Sequence, residues 1–187
     1  MIITLTGASG TGKTTLAKRI LDQVKHARFL TSITTRAPRD SDLHGEYSYL
    51  TADAFGLMKR RDEFAWTATV GDTQYGTTIE SLEQALGDEQ GIWIMILVPH
   101  SVGNLFAFAT ERGLQRRVVP FFISSPTPDI LKHRMSLRGD DTAAIASRLS
   151  ICESWERTAH SSFVPYVFVE DTNDLDRKLD DILRLVL

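Results

Sequence analysis

The most constraining feature of this sequence is a glycine-rich segment near its start. Residues 7–14 read Gly-Ala-Ser-Gly-Thr-Gly-Lys-Thr and match the pattern GxxxxGK followed by Ser or Thr at every fixed position. The β-branched run at residues 2–6 predicts a buried strand before it, and apolar residues recur at helical spacing over residues 14–24 after it. The pattern therefore predicts a strand, a tight loop and a helix in that order, an arrangement that binds phosphate groups.

The chemistry of this loop follows from its backbone. Glycines allow consecutive N–H groups to turn inward around an anion, and the helix N-terminus adds a favourable partial charge. The Lys13 side chain can then reach the β- and γ-phosphates of a nucleotide, and the Thr14 hydroxyl can bind Mg²⁺. The predicted nucleotide-binding residues are Gly7, Ser9, Gly10, Thr11, Gly12, Lys13, Thr14 and Thr15, with Thr14 as the metal ligand.

Beyond this unit, apolar runs alternate with helical patterns. Runs without polar alternation predict strands that are covered on both faces, and the periodic stretches between them predict helices. The predicted strands are residues 92–98, 118–124 and 166–170, and the predicted helices are residues 102–112, 127–137, 142–158 and 173–186. This alternation predicts an α/β fold of three layers, in which helices cover both faces of a parallel sheet.

Two segments interrupt the alternation. Residues 31–78 are polar and arginine-bearing with short strand patterns, and we interpret them as an insertion. Residues 138–148 separate two predicted helices and are interpreted as a lid. Because the 187 residues contain no repeat, low-complexity tract or linker, we predict a single domain over residues 1–187. The predicted core comprises residues 1–30, 79–137 and 149–187.

Composition argues against several classes of protein. Lys and Arg total 21 against 24 Asp and Glu, and the formal net charge of -3 argues against a general nucleic-acid binder. Cys152 is the only cysteine, so one chain can form neither an intramolecular disulfide nor a multi-cysteine zinc site. The apolar start runs straight into glycines and a lysine, which argues against a secretion signal or a membrane span. We therefore expect a cytoplasmic protein without nucleic-acid or membrane partners.

The arginines point to phosphate chemistry at more than one place. Arg36 and Arg39 lie three residues apart with a proline between them, and such a pair can clamp a second phosphate group through bidentate hydrogen bonds. A further set flanks the predicted lid: Arg134, Arg138 and Arg148. Arginines that close over a transferring phosphoryl group stabilise its charge, although solvated arginines on helix faces would give the same pattern. The chain also lacks the NKxD motif expected of a GTPase switch.

The sequence resembles guanylate kinase and its relatives over essentially its whole length. The resemblance rests on the phosphate loop, on Thr34-Thr35-Arg36-Ala37-Pro38-Arg39, on the following Gly45 and Tyr47, on Tyr75-Gly76-Thr77, and on Arg134, Arg138-Gly139 and Arg148-Leu149. It implies a nucleoside-monophosphate kinase fold with a five-stranded parallel core, an inserted acceptor-binding region and a lid. It also implies ATP as the phosphoryl donor, Mg²⁺ as the metal, and a phosphorylated small molecule, most simply GMP, as the acceptor.

The resemblance also implies roles for individual residues. In the acceptor site, Arg36, Arg39, Tyr47 and Tyr75 would hold the phosphate, and Ser32 and Thr77 would face the base. At the transferring phosphoryl group, the expected catalytic residues are Lys13, Arg134, Arg138 and Arg148. No general base is then required, because the attacking atom is already an anionic phosphate oxygen.

Two places depart from the guanylate kinase pattern. The family carries a glutamate nine residues before the tyrosine of its YG pair, and Trp66 stands there in this sequence. The family also ends its central strand with aspartates, where this chain has Met95 and Leu97. Guanine presents N1–H and N2–H donors, and leaving them buried and unpaired would cost about 1–3 kcal/mol each. We therefore expect Trp66 to line an atypical base pocket of reduced guanine selectivity, and Mg²⁺ to rely on Thr14, nucleotide oxygens and water.

Two alternatives stay open on the sequence alone. A kinase of another phosphorylated small molecule, such as ribose 1,5-bisphosphate, would keep the reaction and change the acceptor, and Phe64-Ala65-Trp66 faintly resembles a segment of such an enzyme. A non-catalytic binding module of the guanylate-kinase-like type would keep the fold and lose the reaction. Against that module, Lys13 and Thr14 of the phosphate loop are both present. The sequence does not indicate an oligomeric state.

Overall fold

The computed structural model describes residues 1–40, 42–137, 139, 141–170 and 174–187, without the side chains of residues 144 and 148. The strands are β1 (Ile2–Thr6), β2 (Ala27–Phe29), β3 (Ser32–Thr34), β4 (Tyr47–Tyr49), β5 (Phe64–Val70), β6 (Thr73–Thr78), β7 (Ile92–Ile96), β8 (Val118–Ile123) and β9 (Val167–Val169). The helices are α1 (Lys13–Gln23), α2 (Ala52–Arg60), α3 (Ile79–Gly87), α4 (Pro99–Glu111), α5 (Pro128–Ser136), α6 (Thr142–His160) and α7 (Leu175–Val186).

The larger sheet is five-stranded and parallel, with the strand order β2-β7-β1-β8-β9. All five residues of β1 are buried, and Ile92 to Met95 of β7 are buried as well. This burial explains why these strands read as continuous apolar runs without polar alternation, since helices cover both faces of parallel sheets. The α/β class predicted from the sequence is confirmed.

Outside the predicted insertion, the strand β2 and the helix α3 were not assigned from the sequence. Strand β2 has three residues, only one of them buried, and it pairs with β7 in the register Arg28↔Trp93. A segment this short shows no hydrophobic periodicity, so it is defined only by pairing with its neighbour. Helix α3 follows β6 directly, and its start is marked by Thr78, whose hydroxyl accepts a hydrogen bond from the Ser81 backbone N–H at 3.2 Å.

A second, four-stranded sheet is formed within residues 32–78, in the order β4-β3-β6-β5. Strands β3 and β4 are parallel, whereas β6 runs antiparallel to both β3 and β5. One face of this sheet packs on α2, where the Phe55 and Phe64 rings stack with their centroids 4.6 Å apart. Gly76 lies beneath these rings, and a Cβ at this residue would approach Phe64 to 2.6 Å. Alternate residues along these strands belong to the opposite face of the sheet.

The described residues divide into two compact units. The first unit comprises Met1–Ile3, Val24–Met95 and Asn104–Val118. The second comprises Thr4–Gln23, Ile96–Gly103 and Val119–Leu187. The phosphate-loop residues belong to the second unit, and the four-stranded sheet belongs to the first. Among the described helices, none has the length and apolar character needed to cross a membrane.

Candidate active site

The loop between β1 and α1 has a backbone that requires glycine. Gly7, Gly10 and Gly12 have φ values of 143°, 92° and 92°, a region that residues with a side chain rarely adopt. At Gly7 a Cβ would also lie 2.4 Å from the Ile123 carbonyl oxygen. The three glycines of the motif are therefore needed by conformation as well as by space, as expected for a loop that wraps an anion with its N–H groups.

Lys13 folds back over this loop. Its Nζ donates a hydrogen bond to the Ala8 carbonyl oxygen at 2.5 Å, and the Thr11 hydroxyl donates to the same oxygen at 3.0 Å. Thr14 and Thr15 occupy the first turn of α1 and are exposed. One end of α1 thus combines the positive end of the helix dipole, the Lys13 ammonium group and the exposed side chains of Thr14 and Thr15.

Helix α5 supplies a second cation to the loop. The Arg134 guanidinium donates through Nη1 to the Gly10 carbonyl oxygen at 3.1 Å. The structure therefore brings together Lys13 and Arg134, two of the residues predicted to be catalytic. Arg138 lies outside the described residues, and Arg148 lies on α6 with its side chain outside them.

An apolar cluster packs against the loop between β1 and α1. Ala8 packs with Leu131 and Met135 of α5 and with Ile145 and Cys152 of α6. Burial raises the pKa of the Cys152 thiol, which is consistent with a packing role. A larger side chain in place of Ala8 would force its neighbours in this cluster to move.

In the first unit, the acceptor-site candidate Arg36 forms an ion pair and a cation–π contact. Its Nη2 lies 2.8 Å from Asp42 Oδ1, and its guanidinium lies over the Tyr47 ring at 5.1 Å from the centroid. Burial acts to lower the pKa of Arg36, but the hydrogen bond to Asp42 outweighs it and raises the pKa. The Arg39 side chain is exposed.

Asp42 is a residue that the sequence analysis did not single out. Besides Arg36, its carboxylate accepts hydrogen bonds from the Tyr49 hydroxyl at 2.7 Å and from the Arg39 backbone N–H at 2.7 Å. Burial alone would raise the pKa of this carboxyl, but these donors lower it below its ordinary value. An acid three residues after Arg39 is spaced to accept from that backbone N–H in a turn, which is the signal that could have revealed it.

Tyrosine rings form the wall beside Arg36. The Tyr47 and Tyr75 rings meet edge to face, with centroids 6.2 Å apart and an interplanar angle of 61°. Burial, together with the neighbouring Glu46 carboxylate, raises the pKa of the Tyr47 hydroxyl far above its ordinary value. Tyr47 therefore stays protonated at neutral pH and can donate a hydrogen bond to a phosphate oxygen.

Strand register brings the remaining acceptor-site candidates to one sheet face. Ser32 pairs with Tyr47, and Trp66 pairs with Thr77. Tyr75 lies two residues before Thr77 on the same strand, and directly paired or alternate residues share a face. The structure thus gathers Ser32, Tyr47, Trp66, Tyr75 and Thr77 on the face opposite α2.

Thr14 is the residue that the sequence analysis predicted as a metal ligand. No group of three or more His, Cys, Asp or Glu residues within the described part could hold an ion. The exposed Thr14 hydroxyl fits Mg²⁺, which prefers oxygen ligands and keeps several waters beside substrate phosphates. Met95 and Leu97 offer no carboxylate, so the nucleotide and water would complete the coordination.

A glycine-rich loop between a buried strand and a helix, seated on a five-stranded parallel sheet, defines the class of P-loop phosphotransferases. The sequence profile of the guanylate kinase family matches residues 1–186. The chain therefore belongs to the guanylate kinase family, and the resemblance inferred from its motifs is confirmed.

Individual relatives agree with this assignment. Guanylate kinase from Ruegeria pomeroyi is 32% identical over 177 residues, covering 94% of this chain and 79% of the relative. Guanylate kinase from Nitratidesulfovibrio vulgaris is 32% identical over 184 residues, covering 97% and 84%. The crystal structure of guanylate kinase from Anaplasma phagocytophilum superposes with a TM-score of 0.67 at 21% identity, covering 100% of this chain and 84% of that one, which shows a shared fold.

Proposed function

We propose that the protein is an ATP-dependent kinase that transfers the γ-phosphoryl group to GMP. The observation that carries the proposal is that Lys13 and Arg134 both donate to carbonyl oxygens of the glycine-rich loop, which concentrates two cations at an anion-binding turn. The names of the curated relatives support GMP as the acceptor.

On the donor side, ATP is held by the loop residues predicted from the sequence. Backbone N–H groups cradle the phosphates, Lys13 neutralises the β- and γ-phosphates, and Thr14 binds the Mg²⁺ that accompanies ATP. Mg²⁺ supplies charge neutralisation at the transferring group. Arg134, with Arg138 and Arg148 by resemblance to the family, stabilises the charge that develops in the transition state.

On the acceptor side, the phosphate of GMP is held by Arg36, Arg39, Tyr47 and Tyr75. The base lies against Ser32, Trp66 and Thr77. An anionic oxygen of the acceptor phosphate attacks the γ-phosphorus, the bond to the β–γ bridging oxygen breaks, and ADP and GDP are formed. No proton has to be removed from the nucleophile, so positioning and charge neutralisation carry the catalysis.

We further propose where the enzyme acts and how its chain is organised. We take the acceptor to be a small phosphorylated molecule, and the cytoplasm, where nucleotides are phosphorylated, to be the location. The organisation as one domain, with an acceptor-binding insertion over residues 31–78 and a lid over residues 138–148, stays a prediction from the sequence. The net charge of -3 supports the exclusion of nucleic-acid partners.

The experiment is a coupled assay of ADP release with a panel of acceptors: GMP, dGMP, AMP, CMP, UMP, dTMP and ribose 1,5-bisphosphate. We expect turnover with GMP that requires Mg²⁺, and loss of turnover in Lys13→Ala. The exposed Lys18→Ala on the same helix is the matched control and should retain activity. ADP release with ribose 1,5-bisphosphate and with no other compound would show that this sugar phosphate, and not GMP, is the acceptor. ATP binding without any acceptor-dependent turnover would indicate a binding module.

A further inference from the structure

The sheet face that holds the base in the proposed function carries no carboxylate. None of the strands β3, β4, β5 and β6 contains an aspartate or a glutamate. We call this surface the Trp66 face, and its residues are Ser32, Thr34, Tyr47, Tyr49, Trp66, Ala68, Val70, Thr73, Tyr75 and Thr77. Its polar groups are neutral hydroxyls and one indole N–H.

The carboxylates close to this sheet, those of Asp42 and Glu46, accept hydrogen bonds from other groups of the protein. Asp42 accepts from Arg36, from Tyr49 and from the backbone. Glu46 has an exposed fraction of 8%, and its carboxylate accepts from the Leu43 backbone N–H at 3.2 Å. Both carboxylates therefore already have hydrogen-bond donors within the protein.

The remaining acidic residues of the β5–β6 hairpin, Asp72 and Glu63, lie outside its two strands and therefore outside the Trp66 face. Asp72 lies in the turn beyond the pair Val70↔Thr73, and that pair is four residues along the hairpin from the pair Trp66↔Thr77, or about 13 Å at the rise of a strand. Glu63 precedes β5 and lies 3.8 Å from the Arg61 guanidinium.

A β-bulge places Trp66 on this face. The pairing of β5 with β6 shifts between Phe64 and Trp66, so that Phe64 opposes Thr78 whereas Trp66 opposes Thr77. Phe64 therefore packs on Phe55 beneath the sheet, and Trp66 turns to the other side. The indole is partly exposed, and within the described chain no hydrogen bond engages its N–H.

These neutral groups bind the N–H donors of guanine less strongly than a carboxylate does, because charge-assisted hydrogen bonds are the stronger ones. An indole N–H only donates, so it opposes the N1–H and N2–H donors of guanine, whereas a flat ring can stack on any purine. GMP and IMP differ only in the 2-amino group, which a neutral face distinguishes weakly. We propose, resting on the kinase function above, that Trp66 sets base selection and that the site accepts purine monophosphates without reading the 2-amino group.

The test compares kcat/KM for GMP and IMP in four proteins, with equilibrium binding of both nucleotides measured by calorimetry. We expect the wild-type values to differ by less than about threefold. Trp66→Glu places a carboxylate opposite Thr77 and should raise the preference for GMP over IMP to at least about tenfold. Trp66→Phe keeps a ring, and should leave the ratio unchanged while weakening both nucleotides.

Val70→Glu is the matched control, because it adds a carboxylate at the exposed end of the same strand and should leave the ratio unchanged. A wild-type preference for GMP above about tenfold overturns the inference while leaving the kinase function intact. An unchanged ratio in Trp66→Glu that folds as the wild type does overturns it too. If neither nucleotide is phosphorylated the kinase function fails, and the calorimetric ratio still decides whether the 2-amino group is read.

Discussion

Arg36 and Asp42 form an ion pair with an Nη2–Oδ1 distance of 2.8 Å, and their side chains are only 10% and 13% exposed. The pair holds the guanidinium beside Tyr47. Holding a binding group in place in advance lowers the entropy lost when the ligand arrives. Asp42 is therefore a positioning residue for the proposed acceptor site.

Replacing Asp42 with asparagine should weaken acceptor binding. The substitution removes the charge that orients Arg36, and a hydrogen bond to a charged group contributes about 1.5–3 kcal/mol. We expect the KM for GMP to rise at least about tenfold and the KM for ATP to stay within about twofold, measured by steady-state kinetics. The exposed Asp40→Asn is the control, and an unchanged KM for GMP in Asp42→Asn would show that Arg36 needs no such support.

Arg134 is expected to act on the transition state. Removal of one positioned donor from such a site lowers kcat by about 100-fold or more. We expect Arg134→Ala to lose this factor in kcat while retaining ATP affinity within a few-fold, measured by single-turnover kinetics and titration. Lys132→Ala removes an exposed cation from the same helix and should leave both kcat and ATP affinity unchanged. Equal losses in both variants would point to the net charge of α5 rather than to the contact with Gly10.

Gly76 should not tolerate a side chain. A Cβ there would lie 2.6 Å from the Phe64 ring and 3.2 Å from Phe55, so the stacked pair would have to move. We expect Gly76→Ala to lower the free energy of unfolding by about 1–3 kcal/mol, measured by urea denaturation. Gly87→Ala is the comparison, because a Cβ at that residue meets nothing within 4 Å. There we expect no loss, or a gain of up to about 1 kcal/mol from reduced chain entropy.

Asp88 should make stability depend on acidic pH. Hydrogen bonds from the Gly91 backbone N–H and from Arg28, with smaller contributions from Gln90 and Trp93, lower the pKa of its carboxyl from 3.8 to about 2. Because the folded pKa lies below the unfolded one, the stabilisation is complete above about pH 4 and disappears between about pH 4 and pH 2.

The measurement is the urea midpoint as a function of pH for the wild type and for Asp88→Asn. We expect the midpoint of the wild type to fall more steeply below pH 4 than that of the variant. Glu89→Gln, at the exposed neighbouring residue, should follow the wild type. Parallel curves for Asp88→Asn and the wild type would mean that the ion pair with Arg28 is too well solvated to contribute.

Local features could be predicted from the sequence because they depend on neighbouring residues alone. The strand–loop–helix unit was predicted within one residue at the start of α1, and three glycines of the motif adopt the backbone angles that only glycine adopts readily. The three-residue β2 could not be predicted, because only its partner β7 defines it. Asp42 was not found because its role depends on how the turn after Arg39 closes.

Sequence alone thus determined the fold class, the phosphate loop and the residue types available for binding phosphate. Tertiary structure decided which of those residues share a surface. The period of a strand is two, so a shift of one residue exchanges its faces, and no local pattern shows where a bulge will fall. The bulge between Phe64 and Trp66 places the phenyl ring on the face that packs on α2 and the indole on the base-binding face. Packing of Phe64 on Phe55 is the physical reason, because it is a contact between residues that only the folded sheet brings together.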